Sequence, residues 1–144
     1  RHAAYLAGLG NFGVNNMLLT PDYGPRVRFG SVLTAADLPE DPLMEEALCT
    51  RCMACVHRCP AHALEEGDYP VALTDKKACA TNSDRLHKKR IAPCGICLKV
   101  CPVGRDRTHF HREDIAIYTD RDRYPAHHRA WKHVRSYGGR KEPR

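Results

Sequence analysis

Cys49, Cys52, Cys55 and Cys59-Pro60 make one run, Cys-x2-Cys-x2-Cys-x3-Cys-Pro, and no other stretch restricts the fold as much. Three thiolates at three-residue intervals let a short loop wrap one corner of a polynuclear metal group. The fourth, followed by proline, is led away from that corner by the chain that leaves it. A second set follows, Cys79 and then Cys94-x2-Cys97-x3-Cys101-Pro102. The two sets account for all 8 cysteines of the 144-residue chain.

Four disulfides fit this pattern poorly, because cysteines three residues apart are poor partners and both fourth cysteines precede proline. Four-thiolate zinc sites use paired Cys-x2-Cys ribbons rather than three such cysteines in a row. Iron–sulfur ligation uses the whole set. In runs of this kind the fourth cysteine serves the other of two clusters. The second run lacks a cysteine at Ile91, three before Cys94, and only Cys79 is left to replace it. The expected ligands are therefore Cys49, Cys52, Cys55 and Cys101 for one 4Fe-4S cluster, and Cys59, Cys79, Cys94 and Cys97 for the other. An uncrossed arrangement, Cys49/52/55/59 with Cys79/94/97/101, is geometrically poorer, since a cysteine before proline points out of its own loop. Small residues at Ala54, Ala61 and Gly95 admit backbone amides close to sulfide, and Arg51, His57, Arg58 and Lys99 place positive charge near the ligands.

Aromatic residues make up only 7% of the chain, so its apolar core alone is marginal. Ligation energy becomes folding energy when no site exists in the unfolded chain, and the apo form is expected to be poorly folded. The formal charge of +6 is uneven: residues 105–144 hold 11 basic and 6 acidic side chains. The chain opens without a methionine, apparently inside a helix, and reads as a piece of something longer. It shows no basic segment followed by an apolar one and no run approaching the roughly 20 apolar residues that span a bilayer. A cytoplasmic protein without membrane contact is expected.

Residues 1–7 read as the end of an amphipathic helix stopped at Gly8. Gly8-Leu9-Gly10-Asn11-Phe12-Gly13 matches Gly-x-Gly-x-x-Gly, but a nucleotide site needs a strand before it and a helix after it. Here a helix precedes and the strand-like Met17-Leu18-Leu19 follows. Close approach of the backbone to something flat explains the glycines better. Pro21–Pro25 is a turn by composition, and it is expected to join Met17–Thr20 to Arg26–Thr34 in a hairpin. Residues 35–42 form a linker. Short helices are expected from Pro60 to Glu66, ended by Gly67, and from Pro102. A turn or helix at Thr74–Cys79 presents Cys79, and residues 84–90 form a charged surface segment.

Two features besides the cysteines carry a resemblance. Ala7-Gly8-Leu9-Gly10, Gly13, Leu18–Pro21, Tyr23–Val27 and Val32–Thr34 resemble the epoxyqueuosine reductase and reductive dehalogenase group, and so does the late Cys79 before Cys94. The similarity covers residues 1 to about 104. It implies an α+β chain: a ferredoxin-like module with two 4Fe-4S clusters, preceded by the helix-loop-hairpin end of an α/β domain. Residues 1–40 would be the remnant of a corrinoid-binding domain, 41–106 the two-cluster domain and 107–144 a basic extension. It further implies that Gly8, Gly10 and Gly13 lie against cobalamin and that the clusters feed electrons to cobalt. An electron donor such as a ferredoxin or flavodoxin, and a catalytic domain outside this chain, are implied partners. The group's enzymes usually carry tryptophan and lysine in the glycine loop, where this chain has Asn11 and Val14. The family's proton donor lies upstream of these residues, so no catalytic acid is assigned.

Two other functions suit the same sequence. One is a ferredoxin-like electron carrier or oxidoreductase subunit without corrinoid. The other is a tRNA-modifying epoxyqueuosine reductase, whose basic tail, with Tyr124, Trp131 and Tyr137 interleaved, would contact tRNA. His109-x-His111 and His127-His128 lack the acidic or thiol partners of a metal site.

Overall fold

The computed structural model describes residues 1–88, 94–114, 116–126 and 128–129. Helix α1 (His2–Leu6) ends as the sequence predicts. Gly8 takes φ +68°, its N–H donates to the Tyr5 carbonyl, and Leu9 N–H reaches back to the Ala4 carbonyl. These two bonds satisfy carbonyls that the helix leaves unpaired at its end.

The strand β2 (Leu18–Leu19) also forms, but its partner is β1 (Asn11–Phe12), not residues 26–34. The expected hairpin is therefore corrected: it closes over residues 13–17, with Asn11 opposite Leu19 and Phe12 opposite Leu18. The turn at 21–25 is real, held by a Thr20–Gly24 bridge, yet no strand continues from it. Val27 and Phe29 are partly buried, but the apolar residues further on are not covered by any described residue. Val32 is 90% exposed and Leu33 98%. Apolar alternation makes a strand only where another element covers the apolar face.

The rest is short helices and loops: α2 (Ala54–His57), α3 (Lys76–Lys88), α4 (Ile96–Lys99), α5 (Arg105–His109) and α6 (Ala116–Thr119). Pro60 and Pro102 do not open helices. The first helix of the cysteine region lies before Pro60, within the ligand run, and α5 starts after Gly104. The reason is a local repeat. Met53 and Gly95 both adopt left-handed backbone, at φ 54° and 59°, and each starts a four-residue helix whose second residue is a cysteine. Each cysteine-proline pair then leaves its helix in irregular chain.

Helix α3 is the longest, at 13 residues, and it presents Cys79. Asp75 caps it, accepting a hydrogen bond from Ala78 N–H at 2.9 Å, and Arg85, His87 and Lys88 complement the dipole in its last turn. Helices α2 and α4 pack together, and the buried core joins Val14, Cys55, Leu64, Ile96 and Val100. Cys49, Cys59, Cys94 and Cys97 pack around it. The loop between β1 and β2 is thus part of the cysteine core rather than an appendage to it. Among the described residues, no helix is long and apolar enough to cross a membrane.

Candidate metal centre

The β1–β2 loop, α2 and the turn after α4 converge on one small cavity. Cys49, Cys52, Cys55 and Cys101 line it on one side, and Val14, Asn15 and Leu19 on the other. Cys55 and Cys101 are buried there. Burial, then the adjacent Cys101 thiol, push Cys55 up to about 12, opposed by the Val56 backbone N–H. Burial likewise raises Cys101, while the Val103 N–H and the Arg26 charge pull it back.

The other four cysteines lie close enough to one another to interact. Burial raises Cys97 to about 11, with Cys94, Cys59 and Cys79 adding to it in that order. Cys79 is exposed on α3 and is raised by partial burial, then by Cys59 and Cys94. Ala63 N–H donates to Cys59 Sγ at 3.4 Å. Cys55, Cys79, Cys97 and Cys101 are thus disfavoured as anions, by burial first and by neighbouring thiols in addition. Among the described residues, no three His, Cys, Asp or Glu side chains close around a single ion. Cys49, Cys52, Cys55 and Cys101 line a common cavity instead, and a four-iron cluster, with one thiolate per iron, fits that donor set.

Several site residues carry no motif. Asn15 Nδ2 donates to the Cys97 carbonyl at 3.5 Å, and its Oδ1 accepts from Met17 N–H at 3.1 Å. Asn16 is buried at φ 56° and ties the hairpin to the chain before α3. It donates to the Ala72 carbonyl at 3.0 Å and accepts from Thr74 N–H at 2.7 Å. Arg26 reaches across the chain to Asp106, with Nε–Oδ2 at 2.8 Å and Nη2–Oδ1 at 2.6 Å. Arg107, 4% exposed, donates to the carbonyls of Cys101 and Lys99. The partners of Arg26 and Asp106 lie 80 residues apart, so no window of sequence contains the pair.

The three loop glycines face this chain's own atoms. A Cβ on Gly8 would strike the Pro42 carbonyl, one on Gly10 the Leu19 carbonyl, and one on Gly13 the Leu19 side chain at 2.8 Å. Close backbone approach is therefore what the glycines permit, and the approaching group is protein. Asn11 and Val14, where the resembling enzymes carry tryptophan and lysine, have work of their own. Asn11 Oδ1 accepts from Leu48 N–H at 3.1 Å, next to Cys49, and Val14 is in the core.

The basic extension is not uniformly solvated. Arg105 pairs with Asp22, and α5 packs on the turn at 21–25 through Arg105 N–H and Asp106 N–H. Tyr124 carries the Arg123 guanidinium over its ring at 5.1 Å. His109 packs edge-on against Phe110. Ile91, His127, Trp131 and Tyr137 lie outside the described residues.

Residues 44–65 match the family of 4Fe-4S binding domains, so the chain carries a ferredoxin-type iron–sulfur domain. Its curated homologues, at about 30% identity, are epoxyqueuosine reductases and reductive dehalogenases. The epoxyqueuosine reductase of Listeria monocytogenes is 34% identical over 121 residues, covering 74% of this chain and 30% of that protein. That of Synechococcus sp. (strain RCC307) is 31% identical over 104 residues, 67% of this chain and 31% of that protein. The tetrachloroethene reductive dehalogenase of Desulfitobacterium hafniense is 29% identical over 129 residues, 78% of this chain and 23% of that protein. The chain spans less than a third of the length of these relatives. No solved structure matches it.

Proposed function

We propose that this chain is the iron–sulfur electron-transfer part of a corrinoid-dependent reductase of the epoxyqueuosine reductase and reductive dehalogenase type, with two 4Fe-4S clusters. Cys49, Cys52, Cys55 and Cys101 would hold one and Cys59, Cys79, Cys94 and Cys97 the other. The observation that carries this is the cavity walled by three cysteines of the first run and the last cysteine of the second. A four-iron cluster, when bound, accepts and passes on one electron. The protein's part is to hold the two sets close together, exclude water with Val14 and Leu19, and aim backbone N–H groups such as that of Ala63 at sulfur.

Cys52 and Cys79, the exposed cysteine of each set, are the points that an electron donor such as a ferredoxin or flavodoxin would approach. The set that contains the buried Cys55 and Cys101, next to the β1–β2 loop, would be the one nearer a corrinoid. Exposed Leu6 and Leu9 flank the glycine loop there and offer the apolar surface that a macrocycle accepts. Exposed Val32 and Leu33, together with the greater length of the relatives, support a further domain that covers residues 26–45 in the whole protein.

Anaerobic reconstitution is expected to yield about eight irons and eight sulfides per chain. Zinc without labile sulfide would sink the reading. Corrinoid co-purifying with the full-length protein separates a corrinoid reductase from a simple carrier, and salt-sensitive tRNA binding would add the nucleic-acid substrate.

A further inference from the structure

The two cysteine-proline pairs occupy equivalent places in the local repeat, but their carbonyls are treated differently. The Cys59 carbonyl accepts the neutral N–H of His62 at 3.1 Å. The Cys101 carbonyl accepts two guanidinium donors, Arg26 Nη1 at 2.9 Å and Arg107 Nε at 3.0 Å. Arg26 is the one that comes from afar. Its Nη2 also donates to the Val103 carbonyl at 2.6 Å, and its fork is fixed on Asp106 by two further bonds. The Arg26 and Asp106 side chains are 18% and 19% exposed, so their charges are only partly screened by water.

We propose that Arg26 is a positioning residue for the iron–sulfur group held by Cys49, Cys52, Cys55 and Cys101. It fixes the backbone of Cys101 and raises the reduction potential of that group above the value it would take without the guanidinium. The physical reason is charge. Taking up an electron makes a thiolate-ligated cluster more negative, and a cation held at the backbone of one ligand favours that state. The second set has a neutral amide at the matching carbonyl. By this difference, an electron supplied by a one-electron donor of the ferredoxin or flavodoxin class would favour the group beside the hairpin over the one held by the other set. Asp106 aims the fork and moderates its charge.

This inference rests on the ligand assignment above, and iron and sulfide counts test that assignment separately. In the reconstituted full chain, EPR-monitored redox titration reads both midpoint potentials. Arg26→Gln is expected to lower one and leave the other unmoved. Asp106→Asn, which removes the countercharge, should raise that same one, and Arg26→Lys should restore part of the Arg26→Gln loss. A merely structural tie would move Arg26→Gln and Asp106→Asn in the same direction, and that result overturns the proposal. So does equal movement of both potentials, or movement of neither. If Arg26→Gln does not keep its iron, Asp106→Asn and Arg26→Lys carry the comparison: a rise in one potential for the former upholds the inference, and its absence ends it.

Discussion

Cys79 is the single residue on which the proposed ligand assignment turns, because in that assignment it would stand in for the cysteine missing at Ile91. It sits on α3, separate from both ligand loops, beside Cys59 and Cys94. Cys79→Ser is expected to leave about four of eight irons, with one cluster's EPR signal retained. Retention of both clusters would reassign the ligand. Asn16 is the converse case, a buried residue with no chemistry that joins the hairpin to the start of the α3 segment. Asn16→Ala leaves Thr74 N–H and the Ala72 carbonyl without their partner, and should cost about 1–3 kcal/mol in the denaturation midpoint of the holoprotein. The cysteine spacing made the first residue legible. Nothing local marked the second, since its partners lie 56 and 58 residues away.

Among the elements, those whose ends are set by local rules were readable, and those that need a partner were not. The stop of α1 at Gly8 is local. Gly8→Ala puts a side chain at φ +68° against the Pro42 carbonyl, and is expected to destabilise by about 1 kcal/mol or more in thermal unfolding. The hairpin depended on which strand β2 would choose, and hydrogen-bonding capacity alone does not choose. The docking of α5 on the 21–25 turn depends on the Arg26–Asp106 pair. The Arg26 hydrogen bond foremost holds the Asp106 carboxyl below its usual range; burial opposes it, and the charges of Arg26 and Arg107 with the Arg107 N–H add to the lowering. A lowered folded-state value contributes stability that is present above the unfolded value and lost as pH falls through the folded one. The gap in thermal midpoint between the parent and Asp106→Asn should therefore be steady above about pH 5 and shrink below about pH 4. A gap that widens on acidification would show that Asp106 is not held as described.

At the scale of the whole molecule, the core is organised around cysteines more than around hydrocarbon. Val14, Leu64, Ile96 and Val100, with Leu19 at the cysteine cavity, are the buried apolar residues that touch it, too few to hold α2 and α4 by themselves. Anaerobic removal of iron with a strong chelator is expected to abolish the near-UV circular dichroism and the amide protection of both helices, with recovery on reconstitution. Persistence of native protection in the iron-free chain would mean that the protein core suffices. The sequence by itself determined the iron–sulfur character of the first cysteine run and the likeness to epoxyqueuosine reductases and reductive dehalogenases, because residue identity and spacing are properties of the chain alone. Only the tertiary structure decided that the hairpin loop enters the cysteine core, that β2 turns back to β1, and that Arg26 closes on Asp106 and the Cys101 carbonyl. Those outcomes depend on which distant groups come into contact once the chain has folded, and short-range spacing holds no record of them.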